Sequence, residues 1–368
     1  MYRAKVAGMD EFRESKDAWN SLASKMFFPS IFCTWEWIYT WWEQFGDKYE
    51  PLILFIYDGA DLKGILPLAS RNVVVRNDWL TGRILSYCGS GEVYPDHLDI
   101  ISSSEEAAPC LNAVTRYLLS DYKEWDVLQL SGMSEGNNFM TWLACENAFS
   151  TDIKQTSVAP FISLPGGSEG FLNQFHAKKR YHLKKVEKTL FEERGVKYTS
   201  CAEREDSDTL KNLFELHAGR ANQKRIVSTF QGGSIVDFHA RLIGRLRQND
   251  WLWLRSLRTD EKVIAVFYGF SYEGRVFYYQ IGHDTGWARY GPGKVLMYNA
   301  IKEACEKKYG EFDFLRGNEE YKSYWTKDLR LLFTANIYNR SFRGALSNSL
   351  QRTKTTLKKI KSSFTSFA

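Results

Sequence analysis

The sequence has no CxxC pair, and its six cysteines (Cys33, Cys88, Cys110, Cys145, Cys201 and Cys305) are widely dispersed. That excludes the common zinc-ribbon and dithiol redox motifs and fits a reducing compartment. The six histidines never fall at HxxxH or HxxEH spacing, so no metal site is expected. No apolar run approaches the roughly 18 residues of a membrane-spanning helix. The first residues lack the charged-then-apolar pattern of a secretion signal. A cytoplasmic protein without a transmembrane helix is the expectation. Charge of one sign is also scarce. The net charge is +5, and residues 341–368 alone hold six basic side chains (Arg343, Arg352, Lys354, Lys358, Lys359, Lys361) and no acid. The rest is close to neutral, which excludes a chain-wide nucleic-acid-binding signature.

What is present is a long, aromatic-rich chain. Its 368 residues exceed one typical core, so two domains of similar size are expected. Aromatics reach 15%, with 12 Trp and 20 Tyr, enough for large cores and for stacking or sugar-contacting surfaces. Periodicity and capping predict helices over 9–25 and 32–46, the second ending at Gly46. The runs PLILFIY and LKGILPLAS predict a hairpin, followed by strands RILSYC and HLDII, a helix over 105–119, strand DVLQL, a helix over 135–148 and a strand over 158–164. The breaker PGGSEG (Pro165 to Gly170) marks a domain boundary. Beyond it come a basic helix over 170–194, strand VKYTS, helices over 206–222 and 233–248, and strands WLWLRSLR, KVIAVFYGF and RVFYYQIG. A helix over 293–308 and strands EFDFL and LLFTANIY complete the chain. The halves share an order of elements without sequence identity, so either a duplicated α/β unit or two unrelated mixed domains fits.

Between strand RVFYYQIG and helix 293–308 stands Gly-Pro-Gly-Lys. Gly291 suits the N-cap, and Pro292 the first helical position, where its missing N–H has no partner to lose. Gly293 lets an anion approach the backbone, while Lys294 and the helix dipole add positive potential. Met297, Ile301 and Ala304 recur at helical spacing and bury one face. The corresponding junction of the first half, LDIISSSEEAA, carries Glu105 and Glu106 in the first turn, where they repel a phosphate. Two readings remain: a capped turn, or a pyrophosphate seat.

The run FYYQIGHDTGWARYGPGKVLMYNAI, followed by FDFLRGNEEYKSYW, resembles the CelD/BcsL-like branch of the GNAT acyltransferases, which is related to the FemAB-type transferases. The family pattern falls on Asp284, Trp287, Gly291, Pro292, Gly293, Arg316, Gly317, Glu319, Tyr321, Lys322 and Trp325. WEWIYTWWEQFG, a hairpin ending in GILPL and a glycine-rich turn before DHLD are similar to its N-terminal repeat. The resemblance covers roughly residues 25–340. Two departures stand out: the family's Ser before Pro-Gly is Gly291 here, and the usual donor motif is one residue short if it begins at Arg289.

The resemblance implies an α/β (α+β) fold of two tandem GNAT-like domains with mixed, largely antiparallel sheets flanked by helices. They would comprise a degenerate domain (1–164), a donor-binding domain (165–340) and a basic amphipathic tail (341–368). It implies acyl transfer from acyl-CoA or acyl carrier protein to an amine or hydroxyl, with an anionic sugar or lipid-linked envelope precursor as acceptor. FemAB-like transfer from charged tRNA, or a non-catalytic accessory role, stands as the alternative. The donor would meet Tyr279, Gln280, Ile281, Arg289, Gly291, Gly293 and Lys294. Glu319 is the candidate base, or else a partner of Arg316 or Lys322. Tyr321 is a proton donor or a packed ring beside Trp325. Asp284 and His283 act at the acceptor or cap a turn, and His217, in an LHxxR pattern, faces the cleft or serves structure. Asp96, His97 and Asp99 form a further polar cluster, acceptor-facing or a loop; Arg316, Lys322 and Trp325 are placed with the acceptor.

The basic helix carries Lys178, Lys179, Arg180, Lys184, Lys185 and Lys188 over a stripe of Leu172, Phe175, Leu183, Val186 and Leu190. It is a solvated face, or it attracts an anionic partner. In the tail, Leu346, Leu350, Leu357, Ile360 and Phe364 approximate one helical face, the pattern of an amphipathic helix on a membrane surface; a disordered tail or one packing on a domain also fits.

Overall fold

The computed structural model describes residues 1–76, 80–164, 168–200, 206–224, 230 and 232–340. The tail from 341 on and the Pro-Gly-Gly step at 165–167 lie outside the described residues. The chain forms two compact units, Met1–Thr156 joined by Leu331 onward, and Ser157–Arg330.

The first unit begins with a strand that periodicity did not announce, β1 (Tyr2–Val6). The expected helix over 9–25 breaks at Ser15 into α1 (Met9–Glu14) and α2 (Lys16–Ala23). The Ser15 hydroxyl donates to the carbonyl of Phe12 at 2.8 Å, the local competition that makes serine poor inside a helix. Helix α3 (Trp35–Phe45) starts where the Thr34 hydroxyl accepts from the N–H of Trp37, and it buries Trp35, Trp37, Ile38 and Trp41. Then come β2 (Glu50–Asp58), β3 (Asp61–Arg76), β4 (Leu80–Tyr87), the two-residue β5 (Ile101–Ser102), α4 (Ser104–Ser120), β6 (Val127–Ser134), α5 (Asn138–Cys145) and β7 (Ser150–Ser163), whose residues from Ser157 on belong to the second unit. HLDII is therefore mostly irregular chain, for reasons given with the site.

The second unit contains α6 (Ser168–Asn173), α7 (Ala177–Lys188), β8 (Lys197–Ser200), α8 (Asp206–Lys224), α9 (Gly233–Gln248), β9 (Leu252–Arg258), β10 (Val263–Tyr272), β11 (Arg275–His283), α10 (Pro292–Glu306), β12 (Glu311–Asp313) and the one-turn α11 (Glu320–Ser323). The long basic helix is thus two helices, separated where the His176 side chain accepts from the N–H of Lys179 and caps α7. The last strand, β13 (Leu329–Tyr338), belongs from Leu331 on to the first unit, where it pairs antiparallel with β6.

Each unit builds the same sequence of pairings. In the first, β2, β3 and β4 are successively antiparallel, and β4 then lies parallel to β6 across the helix α4. In the second, β9, β10 and β11 are antiparallel, and β11 lies parallel to β12 across α10. A parallel step needs a crossover, and a helix is its usual form. Both sheets are mixed and mostly antiparallel, with helices against them.

The units differ at that parallel step. In the first, the pairing runs Ile84↔Val127 to Ser86↔Gln129, and β4 ends one residue later. In the second, pairing stops at Phe277↔Asp313 while β11 continues for six residues, to His283. After Asp313 the chain follows β7 instead: Phe314 N–H donates to Pro160 O at 2.8 Å, and Gly317 N–H to Val158 O at 2.9 Å. Strands β11 and β12 therefore part, and the space beside the end of β11 is where the functional residues collect.

Candidate active site

A bulge re-aims the end of β11. Tyr268 pairs with Gln280 but Gly269 pairs with Tyr278, so Tyr279 is an extra residue on β11. An extra residue resets the in–out alternation of a strand. Tyr278 and Ile281, three apart, consequently both join the core against α10. The Tyr279 ring falls among His239, Tyr268 and Phe270, and Gly282 lies against Leu213 and Leu216 of α8.

Beyond β11, a 3-10 turn over Thr285–Tyr290 leads into α10. Gly291 has φ 61 and ψ 45, a left-handed conformation that glycine adopts at low cost, and Pro292 opens the helix. The helix is held by a buried face of Val295, Leu296, Met297, Ala300, Ile301 and Ala304. Removing a buried Ile side chain such as that of Ile301 costs about 2–5 kcal/mol, so the first turn of α10 has a firm mount. Gly293 comes close to His283: a Cβ there would stand 3.3 Å from the ring's Nδ1.

A cleft of about 370 Å³ opens at this junction, lined by Ile281, His283, Gly293, Lys294, Met297, Glu320, Tyr321, Tyr324 and Trp325. It joins the end of β11, the first turns of α10 and the short α11. Its mixture of aromatic walls with a few polar groups is that of a small-molecule site. A strand end released from its neighbour lies beside a helix N-terminus with glycine at its second position and lysine at its third, an arrangement able to receive an anion.

Of the expected residues, Ile281, His283, Gly293, Lys294, Tyr321 and Trp325 line the cleft, and Gly291 caps the helix behind it. Tyr321 also donates from its hydroxyl to that of Tyr278 at 3.2 Å. Arg289 stacks its guanidinium on the Tyr290 ring at 4.6 Å, with Arg194 on the same ring at 4.8 Å. Gln280 turns back, its Oε1 accepting from the N–H of Ile281.

Glu319 is placed elsewhere. It stands at the N-cap of α11, and its carboxylate lies 3.0 Å from Nζ of Lys322. Lys322 is buried, donating also to the carbonyls of Leu315 and Arg316. The pair ties down the loop through half-buried Arg316; the acid on the cleft is the next residue, Glu320. Asp284 accepts from the N–H of Gly286 at 2.8 Å and pairs with Lys262 at 2.6 Å. These donors hold its carboxyl below the usual range despite partial burial, the signature of a turn-capping aspartate. His217 lies edge-on to Phe230.

Asp96, His97 and Asp99 belong to the first unit and are 0%, 2% and 3% exposed. The Nδ1 of His97 is 2.6 Å from Ser134 Oγ. Asp99 caps α5: its carboxylate accepts from the N–H groups of Asn138 and Phe139, from that of Ile100 and from the Asn138 amide. Burial pushes this carboxyl up to about 7 against those four hydrogen bonds. Leu98 N–H donates to Gly132 O, so the chain before α4 packs along β6. At the start of α4, Glu106 accepts from the Tyr2 hydroxyl and lies 3.4 Å from Lys63.

Sequence reading passed over Glu320, Met297 and Tyr324. Met297 was read only as core, Glu320 differs from Glu319 by one helical step, and Tyr324 carries no motif. Lys179 was read only as part of a basic face. Here its Nζ sits 3.4 Å from the centre of the Phe175 ring and 4.2 Å from that of Tyr324. Among the described residues, no cluster of three or more His, Cys, Asp or Glu side chains is arranged to hold a metal ion. No described helix is long and apolar enough to cross a membrane.

Residues 177–323 match the model of the acetyltransferase (GNAT) domain family. No curated protein matches the chain in sequence. Among solved structures, FemX is similar over 90% of this chain and 96% of its own, with a TM-score of 0.64 at 10% identity. A conserved protein of unknown function from Bacteroides thetaiotaomicron VPI-5482 is similar over 92% of this chain and all of its own, with a TM-score of 0.57 at 11% identity. L-PGS from Bacillus licheniformis is similar over 86% and 95%, with a TM-score of 0.51 at 12% identity. At such identities these likenesses concern the fold. The family match takes in the cleft lining from Ile281 to Tyr321, and over residues 177–323 the chain carries a GNAT-type acyltransferase domain.

Proposed function

We propose that the protein moves an acyl group from a thioester donor to an amine or hydroxyl of an anionic sugar or envelope-polysaccharide precursor. The observation that carries this reading is the parting of β11 from β12 beside the Gly291-Pro292-Gly293-Lys294 helix start. The strand end would receive the extended arm of acyl-CoA, or of a carrier protein's pantetheine. The first turn of α10 and Lys294 would receive its phosphate.

In the transfer, the acceptor's nitrogen or oxygen attacks the thioester carbonyl, and the carbon–sulfur bond breaks. Glu320, the cleft's carboxylate, takes the acceptor's proton, and the Tyr321 phenol protonates the departing thiolate. His283, against Gly293, positions the reacting carbonyl. Holding donor and acceptor together supplies much of the rate, and proton transfer by a placed side chain about 100- to 10,000-fold more. The exposed lysines of α7 (Lys178, Lys184, Lys185, Lys188) favour an anionic acceptor. A cytoplasmic setting at the inner membrane belongs to the same proposal.

The same basic face favours one second reading, aminoacyl transfer from charged tRNA. A thermal-shift panel separates the two: acetyl-CoA, longer acyl-CoAs, loaded carrier protein, nucleotide sugars and charged tRNA. Stabilisation by a thioester is expected, changing far less with salt than stabilisation by tRNA. Stabilisation by tRNA alone, collapsing with salt through counterion release, would replace the first reading with the second.

A further inference from the structure

Two ammonium groups lie over one ring at the wall of the cleft. The Nζ of Lys179, from α7, and that of Lys294, from α10, are 4.2 Å and 4.7 Å from the centre of the Tyr324 ring. Lys179 Nζ also donates to the Tyr324 carbonyl. A third cation, exposed Lys327, follows α11. Among the described residues, no carboxylate lies within 4 Å of any of these three amines. The Tyr324 phenol oxygen is buried and has no hydrogen-bond partner among the described residues.

Partial burial first, then the charges of Lys327 and Lys294, bring the Lys179 amine down to about 8. Aromatic faces attract a cation, yet here desolvation and like charge prevail. The other titratable groups near this wall are Glu320 and His283 on the cleft, and on α7 His176, which caps the helix, and Arg180, which donates to Phe175 O. The charges of Lys294, on the cleft, and of Lys327 thus act against the charged form of Lys179, and an anion placed near these amines relieves that repulsion.

We propose that Lys179, Lys294 and Lys327 form one seat for a phosphorylated group at the Tyr324 wall of the cleft. This deepens the donor reading by extending its anion site from one helix start to three elements. The diphosphate of a nucleotide-bearing thioester and that of a nucleotide-linked sugar share the required chemistry. An anion in the seat restores the charged form of Lys179, so binding above about pH 8 takes up a proton. Affinity therefore falls as pH rises through that value, and Lys179 contributes no slope well below it.

The test is calorimetric titration of the full chain with CoA, pantetheine, UDP-N-acetylglucosamine and inorganic pyrophosphate, at pH 6.5 and 8.5, in buffers of different ionisation heat. Lys179→Gln and Lys327→Gln are compared with wild type; Lys327 is exposed, so its replacement leaves folding intact. At least one phosphorylated ligand is expected to bind, each variant weakening it about 5-fold, with pantetheine indifferent to both. Proton uptake is expected at pH 8.5 in wild type and absent in Lys179→Gln. CoA binding unchanged in both variants overturns the seat and leaves the donor reading standing. Lysine-dependent binding of the nucleotide sugar or pyrophosphate without CoA binding supports the seat and sinks the donor reading. No binding of any phosphorylated ligand overturns the seat.

Discussion

The Nδ1 of His283 lies 3.3 Å from the point a Cβ on Gly293 would occupy. Strand end and helix start meet at van der Waals distance with no room between them. Gly293→Ala should displace the His283 ring by a few tenths of an ångström and raise the KM for the thioester about 10-fold. Gly293→Trp should abolish donor binding and also lower the melting temperature, because its Cβ already crowds the His283 ring. Steady-state kinetics and differential scanning calorimetry check both.

The adjacent glutamates should separate cleanly. Glu320→Gln removes the cleft's carboxylate and should lower kcat about 100-fold or more, with stability unchanged. Glu319→Gln takes the partner from Lys322, an amine only 4% exposed. Because the Glu319 side chain is 54% exposed, the loss is discounted to about 1–2 kcal/mol, with a smaller effect on kcat. Urea unfolding together with initial rates distinguishes the two.

Tyr321 leans on Tyr278 through a 3.2 Å hydroxyl contact. Tyr321→Phe keeps the ring and removes the proton, so kcat should fall about 10- to 100-fold with KM nearly constant. The loss should shrink for a donor whose thiol is more acidic, since such a leaving group needs less help.

His239 is fully buried, 3.1 Å from the Tyr268 hydroxyl, and burial brings its imidazole down to about 3. A group that folding keeps neutral takes up its proton on unfolding, so stability is lost as pH falls from about 6.5 towards 3. The slope from one such group is at most about 1.4 kcal/mol per pH unit. His239→Phe, which suits the surrounding rings of Phe230, Phe238 and Tyr279, should lack that component. Urea midpoints at pH 7, 6 and 5 measure it.

The strand, turn and helix around Gly291-Pro292-Gly293 were legible because each step has a local cause: β-branched and aromatic alternation, a left-handed glycine, then proline at the first helical position. The bulge at Tyr279 was not legible, since it arises from the pairing of Tyr268 with Gln280 across two strands. That hidden residue is why Tyr279, read as donor-facing, turns to His239 while Ile281 reaches the cleft. Glu319 and Glu320 could not be told apart without knowing where α11 begins. Lys179 and Tyr324 meet across 145 residues of chain, a proximity no spacing rule contains. The first unit's HLDI stretch looked like a strand because its apolar residues alternate; tertiary packing made it instead a loop held along β6 through Leu98 N–H and Gly132 O.

The most direct measurement is hydrogen–deuterium exchange with and without saturating CoA. The donor reading expects slowed exchange confined to the end of β11, residues 278–283, and the first turns of α10, residues 291–297. Protection absent from both segments, or confined to the Asp96–Asp99 loop of the first unit, would contradict it.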